Sequence, residues 1–113
     1  MKEIKAYIRT QKAEEVIEAL AEAGFRDVTL IDVMGCGHLM DPHNCKYSVE
    51  FVERYSELAK LELVCQDNDV DRVVSVIRDA AYTGMAGDGK IFATPVEYAM
   101  KIRTGERGTE ALT

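Results

Sequence analysis

The order of hydrophobic periodicities along the chain constrains its fold more than any other feature. Residues 2–8 alternate apolar and polar side chains, which predicts a strand with one buried face. Apolar residues then recur every three or four positions between Ala13 and Ala21, which is the spacing of an amphipathic helix. We expect Thr10 to cap the start of this helix and Gly24 to follow its end in a left-handed conformation.

The same order of elements continues through the second half of the chain. Further strands are predicted at residues 27–34, 58–65 and 90–100, and a second amphipathic helix is predicted at residues 70–81. Pro95 lacks an N–H group, so we place it at a bulge or an edge of the last strand. About twenty residues separate the second and third strands, and a connection of this length is usually functional or disordered. Its second half, residues 47–51, alternates and offers an extension of the third strand.

These elements predict an α+β fold with the ferredoxin-like split βαβ arrangement, βαββαβ. Two helices would lie on one face of a four-stranded antiparallel sheet, with a long loop between the second and third strands. The 113 residues suffice for a single domain. The second and fourth strands are apolar on both faces, and no element remains to cover the second face of the sheet. We expect another copy of the chain to cover it; the alternative is a surface with scattered apolar residues.

Charge and composition exclude several classes of function. The chain has 14 basic and 20 acidic residues, a net charge of −6, which argues against nucleic-acid and anionic-membrane partners. No apolar stretch approaches the ~20 residues of a membrane span, and the N-terminus lacks a signal-peptide core, so we expect a cytoplasmic protein. An enzyme needs a nucleophile beside a base, or paired carboxylates in a cleft. Only Cys36 with His38 offers such a pair, so we expect no enzyme.

The glycine-rich segment 83–90, which we call the glycine loop, is the most informative motif. Three glycines in six residues let the backbone present several N–H groups to phosphate oxygens, and Lys90 adds a positive charge. The segment is not a Walker loop, because Ile91 replaces the required hydroxyl residue and the loop runs from helix to strand. Lys101 and Arg103 lie two residues apart and would extend the positive charge. The alternative is a helix C-cap followed by a tight turn, with these basic side chains solvated.

At these residues the sequence resembles the PII signal-transduction family. The resemblance rests on Thr83-Gly84-x-x-Gly87-Asp88-Gly89-Lys90-Ile91-Phe92 and Lys101-Ile102-Arg103-Thr104-Gly105-Glu106, supported by Gly35-x-Gly37 and Lys60-Leu61-Glu62-Leu63-Val64. It implies a homotrimeric, non-enzymatic regulator that binds ATP or ADP in clefts between subunits. It also implies a protein partner, such as a membrane transporter or an enzyme of nitrogen metabolism.

The resemblance further implies roles for individual residues. The implied nucleotide-binding residues are Thr29, Gly35, Gly37, Glu62 and Val64 on the adenosine side, Gly87, Asp88, Gly89 and Lys90 at the phosphates, and Lys101 and Arg103 from the C-terminal segment. Residues 35–57 correspond to the family's partner-docking T-loop. Leu39 stands where the family carries the Gln that ligates magnesium together with 2-oxoglutarate. Residues 104–113 are polar and contain glycine, so we expect a flexible tail there.

Four potential metal ligands cluster in the long loop. They are Cys36, His38, His43 and Cys45, four residues within ten positions. Thiolate and imidazole are ligands that zinc and copper prefer, and residues two apart on an extended backbone share a face. The sequence therefore leaves open an alternative function, a trimeric metal-binding or metal-responsive protein. The remaining cysteine, Cys65, is predicted to be a buried small hydrophobe.

Overall fold

The computed structural model describes residues 1–43, 45–47 and 54–113, and for residues 38, 45–47, 54 and 55 the description is confined to the backbone. Its strands are β1 (Lys2–Arg9), β2 (Thr29–Gly35), β3 (Cys45–Tyr47), β4 (Arg54–Cys65) and β5 (Gly89–Pro95), and its helices are α1 (Ala13–Glu22) and α2 (Val70–Ala81). Neither helix in this part of the chain has the length and apolar character needed to cross a lipid bilayer.

The strands form one antiparallel sheet in the order β2-β4-β1-β5, and β3 pairs with the outer part of β4. In the register of the central strands, Ala6 of β1 lies opposite Leu61 of β4 on one side and Ile91 of β5 on the other. This topology confirms the predicted ferredoxin-like fold, with β1, β2, β4 and β5 as the four main strands.

The core lies between the two helices and one face of the sheet. Its most buried side chains are Ile4, Ala6, Ile8, Ala59 and Leu61 from the sheet, Val16 and Leu20 from α1, and Val73 and Ile77 from α2. Full burial of one such aliphatic side chain contributes about 1.5–3 kcal/mol. The alternating apolar residues of β1 and the apolar stripes of α1 and α2 are thus the buried ones, as the sequence predicts.

The opposite face of the sheet, which we call the open face, is not covered by the helices. Tyr7 and Phe92 meet there edge to face, with ring centroids 6.2 Å apart, and Phe92 remains 49% exposed. Ile31 on β2 is 39% exposed. Charged residues occupy the centre, where Lys60 Nζ lies 2.7 Å from Glu62 Oε1. The open face thus combines exposed apolar side chains with an internally paired charge cluster.

The first helix begins differently from the prediction. Residues Thr10–Lys12 form a 3-10 turn, and Lys12 rather than Thr10 precedes α1, without a capping hydrogen bond from its side chain. The turn is tight because these three residues are the whole connection between β1 and α1. After α1, Gly24 has a φ of +97°, which confirms the predicted left-handed residue.

Two strand boundaries also differ. The last strand ends at Pro95 rather than continuing to residue 100, because its partner β1 begins at Lys2, which lies opposite Pro95; the Val96 N–H still donates to the carbonyl of Met1 over 3.1 Å. The third predicted strand begins at Arg54, earlier than expected, and Tyr47 pairs with Arg54 from the separate strand β3. The rest of the proposed 47–51 extension lies outside the described residues.

The C-terminal segment has more structure than the predicted flexible tail. Met100 and Arg107 form an isolated antiparallel bridge, and Gly108 N–H donates to the carbonyl of Ala99 over 3.0 Å. A 3-10 helix then covers Gly108–Leu112. The reversal at residues 104–107 is possible because Gly105 adopts a φ of +76°, a conformation that other residues rarely take.

Candidate functional site

Asp88 organises the glycine loop between α2 and β5. Its carboxylate accepts hydrogen bonds from the N–H groups of Thr83 and Gly84, each over 2.9 Å, and from the Thr83 hydroxyl. It also accepts a bond from Nε of Arg9 over 2.9 Å. Partial burial raises the pKa of Asp88, but the hydrogen bonds from Thr83, Arg9 and Gly84 outweigh burial and hold this pKa well below its usual range.

These contacts change the role expected for Asp88. A carboxylate with four donors from its own chain fixes the shape of the loop, and its negative charge is unsuited to direct contact with a phosphate. The N–H of Met85 is also occupied, since it donates to Thr83 Oγ1 over 3.1 Å. An anion would therefore meet the backbone after these positions, at residues 86–89, beside the side chain of Lys90.

Close packing requires glycine at two positions of the loop. Gly87 has a φ of +98°, and a Cβ there would lie 2.6 Å from Cα of Asp41. Gly89 has a φ of +106°, and a Cβ there would lie 2.7 Å from the carbonyl carbon of Tyr7. The alternative of a helix cap with a simple turn does not account for these contacts, because the loop is pressed against two other parts of the chain.

Arg9 and Asp41 join the glycine loop to the long loop, and sequence reasoning missed this pairing. Arg9 ends β1 and is buried; besides Asp88 it donates to the Asp41 carboxylate and, over 2.8 Å, to the carbonyl of Ala86. Asp41 is also buried, and its N–H donates to Ser56 Oγ over 2.9 Å. Hydrophobic periodicity does not mark a charged residue that is buried at the end of a strand.

A second group of predicted residues lines a cleft on another part of the chain. Thr29 on β2 lies opposite Glu62 on β4, and both line a cleft of about 360 Å³ with Val64. Ala111 and Leu112 of the C-terminal segment form another wall of this cleft. The hydrogen bond from Lys60 lowers the pKa of Glu62, so this carboxylate is charged near neutral pH.

Lys101, in the C-terminal segment, lies on the side of this cleft. The ammonium group of Lys101 donates to the carbonyl of Thr113, which follows the cleft-lining residue Leu112. Arg103 is exposed, and its neighbour Ile102 is 98% exposed. In position, Lys101 thus belongs with the second group and not with Lys90.

Within one chain, the predicted nucleotide-binding residues fall into two groups. Lys90 lies opposite Tyr7, and Tyr7 lies opposite Lys60, two residues before Glu62 on β4. With ~4.8 Å between strands and ~3.4 Å per residue, Lys90 and Glu62 are about 12 Å apart along the sheet. Gly35 and Gly37 lie at the start of the long loop, where a Cβ on Gly35 would meet Leu58 Cδ1 at 2.5 Å.

The predicted metal site on Cys36, His38, His43 and Cys45 is not supported. Cys36 and His43 are both exposed, and the His43 N–H donates to Asp41 Oδ1 over 2.9 Å. The side chains of His38 and Cys45 lie outside the described residues. Within the described part of the chain, no group of three His, Cys, Asp or Glu side chains is arranged to hold an ion. Cys65 is buried as predicted, and burial raises the pKa of its thiol.

Comparisons with known proteins identify the family of the chain. The family model described as "Nitrogen regulatory protein P-II" matches residues 1–106. A Nitrogen regulatory protein P-II of Azospirillum brasilense is 41% identical over 112 residues, which cover 99% of this chain and all of that protein. The "Nitrogen fixation nifHD region GlnB-like protein 1" of Methanothermobacter marburgensis is 46% identical over 111 residues, covering 96% of this chain and 99% of that protein.

A solved structure supports the same relationship. The crystal structure of Arabidopsis thaliana PII bound to citrate matches with a TM-score of 0.80 and 33% identity, covering 98% of this chain and 88% of that one. Fold and sequence together define a signalling protein of the ferredoxin-like class. The chain belongs to the PII family of nitrogen regulatory proteins. Members of this family are regulators rather than enzymes, and nucleotide binding is typical of them.

Proposed function

We propose that this chain is a nucleotide-responsive regulator that binds ATP or ADP in clefts between the subunits of a homotrimer. The observation that carries the proposal is the glycine loop, which Asp88 holds in shape beside Lys90. An anion there is met by the backbone N–H groups of residues 86–89 and by the Lys90 ammonium. These are the groups that bind phosphate in a positively charged concavity.

The adenosine side is assigned to Thr29, Glu62 and Val64, with the glycines Gly35 and Gly37. A nucleotide laid across the open face of one chain would be solvent-exposed along its length, whereas bound small ligands bury 70–90% of their surface. A neighbouring chain supplies the missing wall. Within one chain Lys101 lies on the side of the adenosine cleft and not beside Lys90, so we place Lys101, together with Arg103, at the phosphates from across the subunit boundary.

The open face supports self-association. Phe92 on β5 is about half exposed, and Ile31 on β2, at the opposite edge of the sheet, is about two-fifths exposed. Exposed apolar surface of this kind favours an interface. Light scattering after gel filtration should give about three times the 12.6 kDa chain mass. A Phe92→Asp variant should lower the measured mass, because a charge buried in an apolar interface is strongly unfavourable. A monomeric wild-type protein would overturn this part of the proposal.

Calorimetry with ATP and ADP tests the binding function. We expect a micromolar Kd, roughly −7 to −8 kcal/mol. Lys90→Ala should weaken binding at least tenfold, since it removes the charge beside the phosphates. Lys12→Ala is the matched control, because Lys12 lies in the turn before α1 and its ammonium pairs with the exposed Glu15, at 3.4 Å. The absence of heat with both nucleotides in a folded trimer would refute the proposal.

The regulated partner is proposed at the level of its class. The long loop, residues 35–57, would dock on a cytoplasmic surface of a transporter or on an enzyme of nitrogen metabolism, and the chain itself would carry out no reaction. The similarity to a protein named for a nitrogen-fixation region favours the second class of partner. Leu39 cannot ligate magnesium, so 2-oxoglutarate is not assigned to this site.

A further inference from the structure

A cleft of about 370 Å³, which we call the helix-face cleft, lies between the second half of α2 and the edge strand β5. The most buried of its lining residues belong to the core, where Ile8, Ile77 and Ala81 are 2%, 0% and 6% exposed. Val74 and Ile91 also line the cleft; they are partly buried and pack against the same core. Proteins bind small molecules in mostly apolar concavities of about this size.

Arg78 supplies a positive charge from α2 to the helix-face cleft. Its side chain is exposed, and its guanidinium lies over the ring of Tyr82, which also lines the cleft, at 4.9 Å from the ring centroid. The ring restricts the guanidinium without using its in-plane N–H donors. The ion pairs in the described part of the chain do not include Arg78. A planar guanidinium in this state is suited to bind a carboxylate through two parallel hydrogen bonds.

Two other charged residues line the helix-face cleft, Asp88 and Lys90. The negative charge of Asp88 does not cancel that of Arg78, because Arg9 and donors of the glycine loop already bind the Asp88 carboxylate. Lys90 lies opposite Tyr7, a residue of the open face, so the alternation of the strand starts the Lys90 side chain on that face and not on the face of the cleft. Arg78 is therefore the cation available to a ligand in the cleft.

We propose that the helix-face cleft binds a small amphipathic carboxylate, with the apolar body of the ligand on the core residues and its carboxylate on Arg78. Charge complementarity sets the class of ligand, because the guanidinium attracts an anion and repels a cation. The cleft lies on the helix side of the sheet, whereas the proposed nucleotide site uses the glycine loop and the open face. The carboxylate site is contained within one chain, so it does not rest on the proposed nucleotide binding.

Titration of the full chain with octanoate, followed by NMR, tests the proposal without nucleotide. The amides of Val74, Ser75 and Ile91 should shift and saturate, with a Kd on the order of 0.1–1 mM for a ligand this small. Hexanoate, which is shorter by a pair of CH₂ groups, should bind about fifteenfold more weakly, because each buried CH₂ group tightens binding about fourfold. This dependence on chain length reports burial of the alkyl chain, which a purely ionic contact on the surface would not show.

Two surface variants on α2 test the role of Arg78. Arg78→Gln should weaken octanoate binding about tenfold, because it removes the charge that holds the carboxylate. Ser75→Glu should also weaken binding, since residue 75 lines the cleft one helical turn before Arg78 and its new carboxylate would compete for the guanidinium. Arg72→Gln is the matched control, because Arg72 is also exposed on α2 and lies over an aromatic ring, that of Phe25 at 4.7 Å, but is outside the cleft lining. The control should bind octanoate as wild type does.

Lys90→Ala separates the helix-face cleft from the glycine loop. Its affinity for octanoate should stay within about twofold of wild type, because the Lys90 side chain starts on the other face of the sheet. A larger loss in Lys90→Ala than in Arg78→Gln would place the carboxylate at the glycine loop and overturn the proposal. Equal affinities of wild type, Arg78→Gln and Ser75→Glu would also overturn it, as would the absence of saturable binding to wild type with a dispersed amide spectrum.

Discussion

Replacement of Gly89 by alanine provides a demanding test of the packing between the glycine loop and β1. The new Cβ would lie 2.7 Å from the carbonyl carbon of Tyr7 and closer still to its oxygen. Ordinary carbon contact begins at 3.4 Å, so β1 and β5 must separate locally by about 0.7 Å or more. The backbone at Gly89 also has a φ of +106°, which alanine rarely adopts.

Two contributions set the magnitude of this effect. A non-glycine residue held in such a conformation costs about 1–3 kcal/mol. Separation of β1 from β5 weakens the hydrogen bonds near the Ile8–Gly89 pair, each contributing about 1 kcal/mol. We expect Gly89→Ala to lower the free energy of unfolding by about 3–5 kcal/mol. This is a large share of the ~5–15 kcal/mol typical of a folded domain.

Urea denaturation at one fixed protein concentration, followed by circular dichroism, measures this loss. Gly105→Ala is the control, because Gly105 also has a positive φ, +76°, yet a Cβ there meets no atom within 4 Å. The control should lose about 1 kcal/mol, the cost of the backbone conformation alone. A Gly89→Ala variant within 1 kcal/mol of this control would refute the packing argument.

The remaining predictions concern a titration, a thiol and the core. The lowered pKa of Asp88 stabilises the folded state fully above the unfolded pKa of ~4, and the contribution is lost as pH falls toward the folded value. Denaturation below pH 4 should therefore show a flatter pH dependence in Asp88→Asn than in wild type. In a Cys45→Ser background, Ellman's reagent should modify exposed Cys36 at least a hundredfold faster than Cys65, which is buried and has a raised thiol pKa. Leu61→Ala should lower the free energy of unfolding by about 2–5 kcal/mol, because Leu61 is fully buried; a loss under 1 kcal/mol would contradict this.

The fold could be predicted because local periodicity and burial agree along most of the chain. Alternation in β1 and helical stripes in α1 and α2 each bury one face, and their order permits few topologies. The start of α1 could not be predicted from Thr10, because a side chain suited to capping does not reveal that a 3-10 turn intervenes. The end of β5 at Pro95 follows from the start of its partner β1 at Lys2, and the residue pattern of β5 alone does not reveal that pairing.

The candidate site could be predicted only in part. The motif in the glycine loop identifies which residues take part, but not that Asp88 faces inward or that Gly89 is required by Tyr7. Arg9 was missed because its partners are 32 and 79 residues away in sequence, and no local pattern connects them. Such contacts depend on tertiary packing, which leaves no local pattern in a single sequence.

The length of β4 has a mechanical consequence. The strand runs from Arg54 to Cys65, yet its pairing with β1 ends at Leu58, so four residues project beyond the central ladder. At ~3.4 Å per residue this projection measures about 14 Å, and a tilt of 10° about Leu58 would sweep its far end through about 2 Å. A displacement of about 2 Å is larger than the range of donor–acceptor distances in a hydrogen bond. A modest rotation at the base is thereby amplified at the far end of the strand.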